Sequence, residues 1–385
     1  MRRSSVVVAA VSLAVLGWGL SSAGAQSGSP PMTNDIEIDA QLGESIWPRE
    51  AESTKSIADL IAKSIEERYP ANKRPARRDA HPKAHGCVSA IFTVEADVPE
   101  ALAQGVFIPG RSYKSWIRFS NGNADPERPD VKGDARGMAI KLMGVPGAKL
   151  LPSERTALTQ DFIMINHPVF FIDDPGDYLT LVKRGSSKNP LVKLLAPFAL
   201  GLKGVKIART ISKKQIENPL HTRYFSMVPY RLGDDARKQA IKFSARPCVG
   251  HPNNNIPKDP GANYLRTAIA NTLSNGDACF EFLVQPRRSE AMKVEDSKTE
   301  WLESEAPFIK VATIRIPKQV FDTPEQNEFC ENLSFTPWHS LPEHRPLGGV
   351  NRVRRTVYEA TSKLRHEMNR AQRTEPTGDE IFPRS

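Results

Sequence analysis

The chain has 385 residues, 25% of them charged, with a formal net charge of +9. That length allows one large domain or two ordinary ones. The basic excess is scattered, which argues against a nucleic-acid-binding tract, and the four cysteines form no CxxC pair, which argues against a structural zinc site. At the N-terminus, Arg2-Arg3, an apolar run over residues 6–20 and Ala23-Gly24-Ala25 have the pattern of a secretory signal peptide over residues 1–25. Export is therefore expected, to the periplasm in a Gram-negative cell and otherwise to the medium. The Arg pair hints at twin-arginine export without completing its signature. No later segment reaches the roughly 18 consecutive apolar residues of a membrane helix, so no stable membrane insertion is expected.

Residues 26–50 are polar and rich in Pro, Gly and Ser at their start, and read as a flexible N-terminal segment. The spacing of Ile57, Leu60, Ile61 and Ile65 predicts a helix over residues 52–67. A basic stretch, residues 73–78, leads to His81. Strand-like runs follow at 87–94, 113–120, 137–143 and 161–172, then a mostly helical basic insertion over 177–216. Strands resume at 223–231, 240–245, 278–285 and 308–316, with a helix at 262–273 between them. Eight strands without a βαβ rhythm predict an α+β fold built on an antiparallel eight-stranded β-barrel. A Pro-rich wrapping segment spans 321–347, a helix 351–370, and a C-terminal tail 372–385. Cys87, Cys248, Cys279 and Cys330 can form disulfides in an exported chain, but their pairing is open, and four buried thiols fit equally.

The last helix carries the most specific pattern. Val353, Val357, Ala360, Leu364 and Met368 form an apolar face. Arg354, Tyr358 and Arg365 form a second stripe, because steps of four and eleven residues return close to the same side. A guanidinium one turn from a phenol favours the phenolate, a hard anionic ligand suited to ferric iron. On the helix alone, Tyr358 reads more readily as an amphipathic core residue beside a surface Arg. His81 and His85 have the spacing of a zinc pair, but Pro82 and Gly86 oppose the helix such a pair needs. Strand alternation puts Trp116, Arg118 and Ser120 on one face. If that face is inward, Arg118 requires an anion; the alternative is an outward strand surface. Asn166, a polar residue in the apolar run 161–171, is either a satisfied turn residue or part of a site.

Taken in order, these segments resemble the haem catalases. Arg78 with His81-Pro82-Lys83, Arg118-Phe119-Ser120, residues 134–142, residues 166–171, and Arg354, Tyr358 and Arg365 match five catalase motifs at comparable spacing. The resemblance implies one catalase-like haem domain over residues 51–371, with haem b as cofactor and Tyr358 as the iron ligand on the C-terminal helix. It implies that Arg354 is the charge partner of Tyr358 and that Arg78, Arg118 and Arg365 hold the propionates. It makes His81 the acid/base, oriented by Ser120, with Asn166 placing the peroxide, Asp134 along the access channel and Tyr178 near the haem edge. Strict spacing before Pro168 puts Ile165, not Asn166, opposite the usual distal Asn. Ser362 and Ser244 replace two histidines of the usual proximal network. With no C-terminal helical domain after the ligand helix, the pattern is most similar to the short exported catalase-related peroxidases.

That similarity implies a haem-dependent catalase or peroxidase, an oxidoreductase acting on hydrogen peroxide or organic peroxides, with an organic electron donor in the peroxidase case. Two alternatives share the same residues: a fatty-acid hydroperoxide-rearranging enzyme like the allene oxide synthases, and a non-enzymatic haem-binding protein. No nucleic-acid partner is expected, and a homo-oligomer is compatible with the family.

Overall fold

The computed structural model describes residues 37–248 and 255–382. The signal-peptide reading of residues 1–25, and the segment up to residue 36, lie outside the described residues.

Nine strands among the described residues build one antiparallel sheet. They are β1 (Ala84–Val94), β2 (Ser112–Asn121), β3 (Arg136–Met143), β4 (Thr159–Ile165), β5 (Tyr224–Phe225), β6 (Tyr230–Leu232), β7 (Gln239–Pro247), β8 (Ala278–Pro286) and β9 (Ile309–Ile316). The neighbour order runs β4-β3-β2-β1-β9-β8-β7, and both β5 and β6 pair with β7. These two short strands occupy one interrupted strand position. Ser226 spans the interruption: its N–H donates to Phe243 O at 2.9 Å and its Oγ accepts from Phe243 N at 3.2 Å. Pairing of Phe225 with Ile165 of β4 closes the sheet into the expected eight-position barrel.

Alternation along each strand sorts the side chains. Ile117 and Phe119 of β2, Met138 and Ile140 of β3, and Phe162 and Met164 of β4 point inward. Aromatic rings fill the interior, with Phe162 and Phe282 centroids 4.9 Å apart and Phe92 and Phe282 5.2 Å apart. The barrel is a packed core, and its chemistry lies elsewhere.

Seven α-helices lie outside the barrel among the described residues: α1 (Glu50–Arg68), α2 (Pro175–Gly185), α3 (Pro190–Leu194), α4 (Gly201–Lys213), α5 (Tyr264–Asn275), α6 (Pro324–Asn332) and α7 (Gly349–Asn369). Ile57, Ile61 and Ile65 of α1 pack on Val353 and Val357 of α7, with Leu179 of α2 against them. The apolar stripe read from the last helix thus has its partner. Among the described residues no helix is long and apolar enough to cross a membrane.

Four expectations change. The strand expected over 161–172 stops at Ile165, because the Asn166 side chain takes Arg136 N–H and Pro168 has no N–H to continue a ladder. The wrapping segment contains α6, begun by Thr323 accepting from Gln326 N with Pro324 in the first turn. The N-terminal segment is tied down well before residue 50. Arg352, fully buried, bridges Glu44 at 2.8 Å, Glu50 at 2.6 Å and Glu295 at 2.8 Å. The C-terminal tail is also fastened: Glu375 meets Lys141 at 2.7 Å, and Glu380 accepts from Trp116 Nε1 at 3.0 Å. In both cases a buried charge requires a partner, and that need orders a segment whose composition is loop-like. Cys248 and Cys279 form a disulfide, while Cys87 and Cys330 are buried free thiols.

Candidate active site on the outer barrel wall

The site is built on the outer face of β2, β3 and β4. Ser120, Gly137 and Ile165 stand in register across these strands. His81, from the loop before β1, lies across this row, its Nδ1 hydrogen-bonded to Ser120 Oγ at 3.0 Å. A Cβ on Gly137 would stand 2.6 Å from His81 Nδ1, so only glycine lets the ring reach the wall. Arg118 Nη2 donates to His81 O at 2.9 Å. The His81 backbone is left-handed, with φ 60°, a conformation that costs energy in a non-glycine residue and concentrates at functional sites. Burial first, then the cations Arg118, Arg354 and Arg78, push the His81 pKa down to about 3. The imidazole is therefore neutral near pH 7. Nδ1 is engaged, and Nε2 is the nitrogen without a protein hydrogen bond among the described residues.

On α7, the Arg354 Nη2 and Nε lie 3.3 and 3.4 Å from Tyr358 Oη. Asn351 Oδ1 accepts from Arg354 Nη1 at 3.1 Å and fixes the guanidinium. Burial opposes the Arg354 cation, yet Tyr358 and Tyr230 together hold its pKa above the usual value. Tyr358 is half-buried, as are His81 and Tyr178, so each ring keeps part of its surface uncovered.

The three expected propionate-binding arginines, far apart in sequence, converge on Glu331. Arg78 Nη1 is 2.9 Å from its carboxylate, Arg118 Nη2 3.9 Å and Arg365 Nη1 4.0 Å. Arg118 and Arg365 are almost fully buried. Burial, then the neighbouring Arg78, pushes Arg365 down to about 9 and lowers Arg118 as well. Three guanidiniums face one carboxylate, and Arg118 Nε is buried without a partner among the described residues. The site has a deficit of negative charge, which a ligand carrying two carboxylates would fill. Together with a neutral imidazole under the influence of Arg118, Arg354 and Arg78, and the phenol beside Arg354, these residues fit haem.

Arg118 and Ser120 do share a face, as alternation indicated. That face is the outer one, covered by α6, α7 and the wrapping segment rather than by the barrel interior. Asn166 sits one residue beyond the row under His81; Ile165 occupies the row itself. Asn166 Oδ1 accepts from Arg136 N at 2.8 Å and caps the end of the β3–β4 ladder, while Nδ2 is buried without a protein partner among the described residues. Both Asp134 oxygens are taken, one by Asn123 N at 2.9 Å and one by Ala135 N at 2.8 Å, so it braces the loop next to His81. Burial first, then Asp79 and Tyr358, raises the Tyr178 pKa and keeps the phenol neutral.

His85 is buried on β1, with Nε2 2.6 Å from Asn121 Oδ1, so that nitrogen is committed to a protein partner. Glu154, His339 and Glu375 approach one another as metal ligands can, but Arg373 and Lys141 supply the cations and make the cluster an ion-pair staple for the tail. Ser362 bonds Ser334 at 2.6 Å, and Ser244 bonds Arg223 and the Tyr224 carbonyl, so neither joins Arg354. Gly137, Glu331 and Tyr230 were not marked by the sequence as site residues. Only Gly137 left a signal, as a glycine inside a β-branched and apolar strand beside the Arg-containing motif.

A closed antiparallel barrel carrying a histidine on its outer wall, beneath a C-terminal helix with an Arg–Tyr pair, defines the catalase fold. A family model described as Catalase matches residues 56–194. A "Catalase-related peroxidase" of Mycolicibacterium paratuberculosis (strain ATCC BAA-968 / K-10) is 25% identical over 294 residues, covering 74% of this chain and 88% of the relative. Catalase A from Saccharomyces cerevisiae superposes with a TM-score of 0.60 at 17% identity, over 92% of this chain and 72% of that one. A fungal catalase gives a TM-score of 0.59 at 17% identity over 80% of this chain, which spans 62% of the fungal protein's length. A bacterial catalase gives 0.58 at 15% identity, over 96% and 74% of the two chains. The chain thus has the catalase fold, and its residues 56–194 match the Catalase family model.

Proposed function

We propose that the chain is a haem b-dependent catalase/peroxidase that decomposes hydrogen peroxide or organic peroxides, exported to the periplasm or the medium on the evidence of residues 1–25. The observation that carries this reading is the meeting of three elements in one place: neutral His81, the Arg354–Tyr358 pair, and an arginine cluster short of negative charge. Tyr358 would hold the iron, and Arg78, Arg118 and Arg365 the propionates. Haem, when bound there, supplies the redox chemistry that no side chain of this site can supply.

The protein's own contribution is proton handling and positioning. For Nε2 to act as a base, Nδ1 must carry its hydrogen and donate it to Ser120 Oγ. Nε2 would then accept the proton from one oxygen of hydrogen peroxide and return it to the other, so that the second leaves as water as the O–O bond breaks, the two electrons for that cleavage being what haem would supply. Arg354 places its guanidinium 3.3 Å from Tyr358 Oη, as the charge partner of that oxygen. Asn166 Nδ2, the unpaired donor at the end of β4, would steady the peroxide; Asp134 would brace the access side and Tyr178 the edge of the ring system. A second reading, rearrangement of a lipid hydroperoxide, is favoured by Ile165, an apolar residue in the row under His81.

The haem-loaded chain should show a ferric Soret band and consume peroxide. Tyr358→Phe should lose retained haem, and His81→Ala should keep it while turnover drops by about two orders of magnitude or more, the usual contribution of a positioned acid/base. A colourless reconstituted chain, or a fully active His81→Ala, would overturn the assignment. Oxygen released from hydrogen peroxide marks the catalase reaction, oxidised donor the peroxidase, and an epoxide or ketol formed without donor the rearrangement.

A further inference from the structure

Past Tyr178, the basic helical insertion supplies no residue to the site described above. Between residues 183 and 216 the sequence has nine lysines and arginines and neither aspartate nor glutamate. In the fold this stretch forms α3, a 3-10 turn over Ala196–Leu200, and α4, packed on one another and on α2. The inner side of α4 is used: Gly204 lies so close to Phe171 O that a Cβ would stand 2.4 Å from it, and Ile211 is buried in the barrel cluster. The outer side of the cap is different. Leu191 and Leu194 are each 71% exposed, Phe198 73% and Leu202 95%. Single exposed apolar residues are ordinary, but with Leu195 also exposed there are five large ones within twelve positions of one small cap, a patch that calls for a partner. Lys183, Lys188, Lys206, Arg209 and Lys213 are exposed on the same cap.

We infer that this cap docks peripherally on an anionic lipid bilayer, with Leu191, Leu194, Phe198 and Leu202 entering the headgroup–acyl boundary and the surrounding lysines and arginines meeting lipid phosphates. Apolar knobs amid cations, without any carboxylate, match an interface that is hydrocarbon below and negative above. A second copy of the chain is a poorer match. A two-fold contact would place each basic rim against itself, and like charges across an interface are repulsive. A nucleic acid would satisfy the cations but leave Phe198 and Leu202 in water.

The test is co-sedimentation of the full-length chain with phosphatidylcholine vesicles, with and without phosphatidylglycerol, in a salt series. Parent and variants carry the same apolar stretch at residues 6–20, so differences between them report on the cap. The parent should pellet with phosphatidylglycerol vesicles, release partly with salt, and stay in the supernatant with phosphatidylcholine alone. F198S/L202S should reduce partitioning at least about tenfold, since it removes two inserted apolar side chains. K206E/R209E should reduce it too. All four side chains are exposed, so both variants should melt like the parent. Binding by F198S/L202S equal to the parent would overturn the inference. So would a parent that ignores vesicles but forms a dimer that F198S/L202S dissociates, or one that binds only a DNA duplex.

Discussion

Replacing Gly137 by Ala tests whether the wall of the barrel positions the base. The new Cβ would lie 2.6 Å from His81 Nδ1, 2.7 Å from Cε1 and 2.8 Å from Ser120 Oγ. Carbon contacts are comfortable near 3.5 Å, so the ring must retreat by about 1 Å. It cannot slide freely, because Arg118 holds the His81 carbonyl and the residue is already in a left-handed conformation ahead of Pro82. Overpacking of this kind costs about 1–3 kcal/mol. Loss of the His81–Ser120 hydrogen bond adds about 1 kcal/mol. For a domain of this size, each kcal/mol lowers the melting temperature by about 1–2 °C. The larger effect should be on turnover, since a displacement of about 1 Å in a reacting group costs on the order of a hundredfold. The assay is peroxide consumption by haem-loaded protein, with the Soret band showing that haem is retained and a thermal melt reporting the strain. Ser120→Ala, which removes the hydrogen bond without pushing the ring, should be milder. Parent-like turnover and melting in Gly137→Ala would refute the proposed placement of His81.

Arg352→Met leaves Glu44, Glu50 and Glu295 without their shared cation and should cost about 3–5 kcal/mol, read by denaturant titration; an unchanged midpoint would remove the ion cluster as an anchor. The imidazoles of His81, His85 and His344 are depressed by burial to about 3 and that of His339 to about 4, against 6.5 when unfolded. The unfolded chain therefore takes up protons first, so this stability is complete above about pH 6.5 and declines as pH falls toward 4 and below. For the same reason kcat/KM should show no histidine limb between about pH 8 and 5, and a limb centred near 6.5 would mean that His81 is not desolvated. Alkylation in denaturant without reductant should label Cys87 and Cys330 and leave Cys248 and Cys279 cross-linked by mass spectrometry, and reduction of that bridge should cost about 3 kcal/mol.

The barrel was legible because each strand announces itself locally, by β-branched and aromatic runs between turn residues. Arg354 and Tyr358 were legible because a helix converts a spacing of four into a contact. The meeting of Arg78, Arg118 and Arg365 depends on contacts across hundreds of residues, and only family resemblance foretold it. Alternation put Arg118 and Ser120 on one face but could not say which side of the sheet would be covered. Glu331 lies in the wrapping segment, where no period points to a partner. The Asn166 assignment turned on inter-strand register: Ser120, Gly137 and Ile165 share a row, and that row ends one residue short of Asn166. The N-terminal segment looked loose because composition cannot register that Glu44 and Glu50 meet Arg352, some three hundred positions later.

Because the arginines, His81 and Tyr358 are mounted outside a sealed cylinder, the cylinder need never open. A flat guest would arrive by a peeling of α7 and the wrapping segment, while the aromatic plug and every rung of the ladder stay intact. Loading and loss of such a guest are then governed by a partial opening of the shell, at a free energy below that of global unfolding. The wrapping segment and α7 follow every strand in the chain, so the sequence of the cylinder is complete before the elements that would peel.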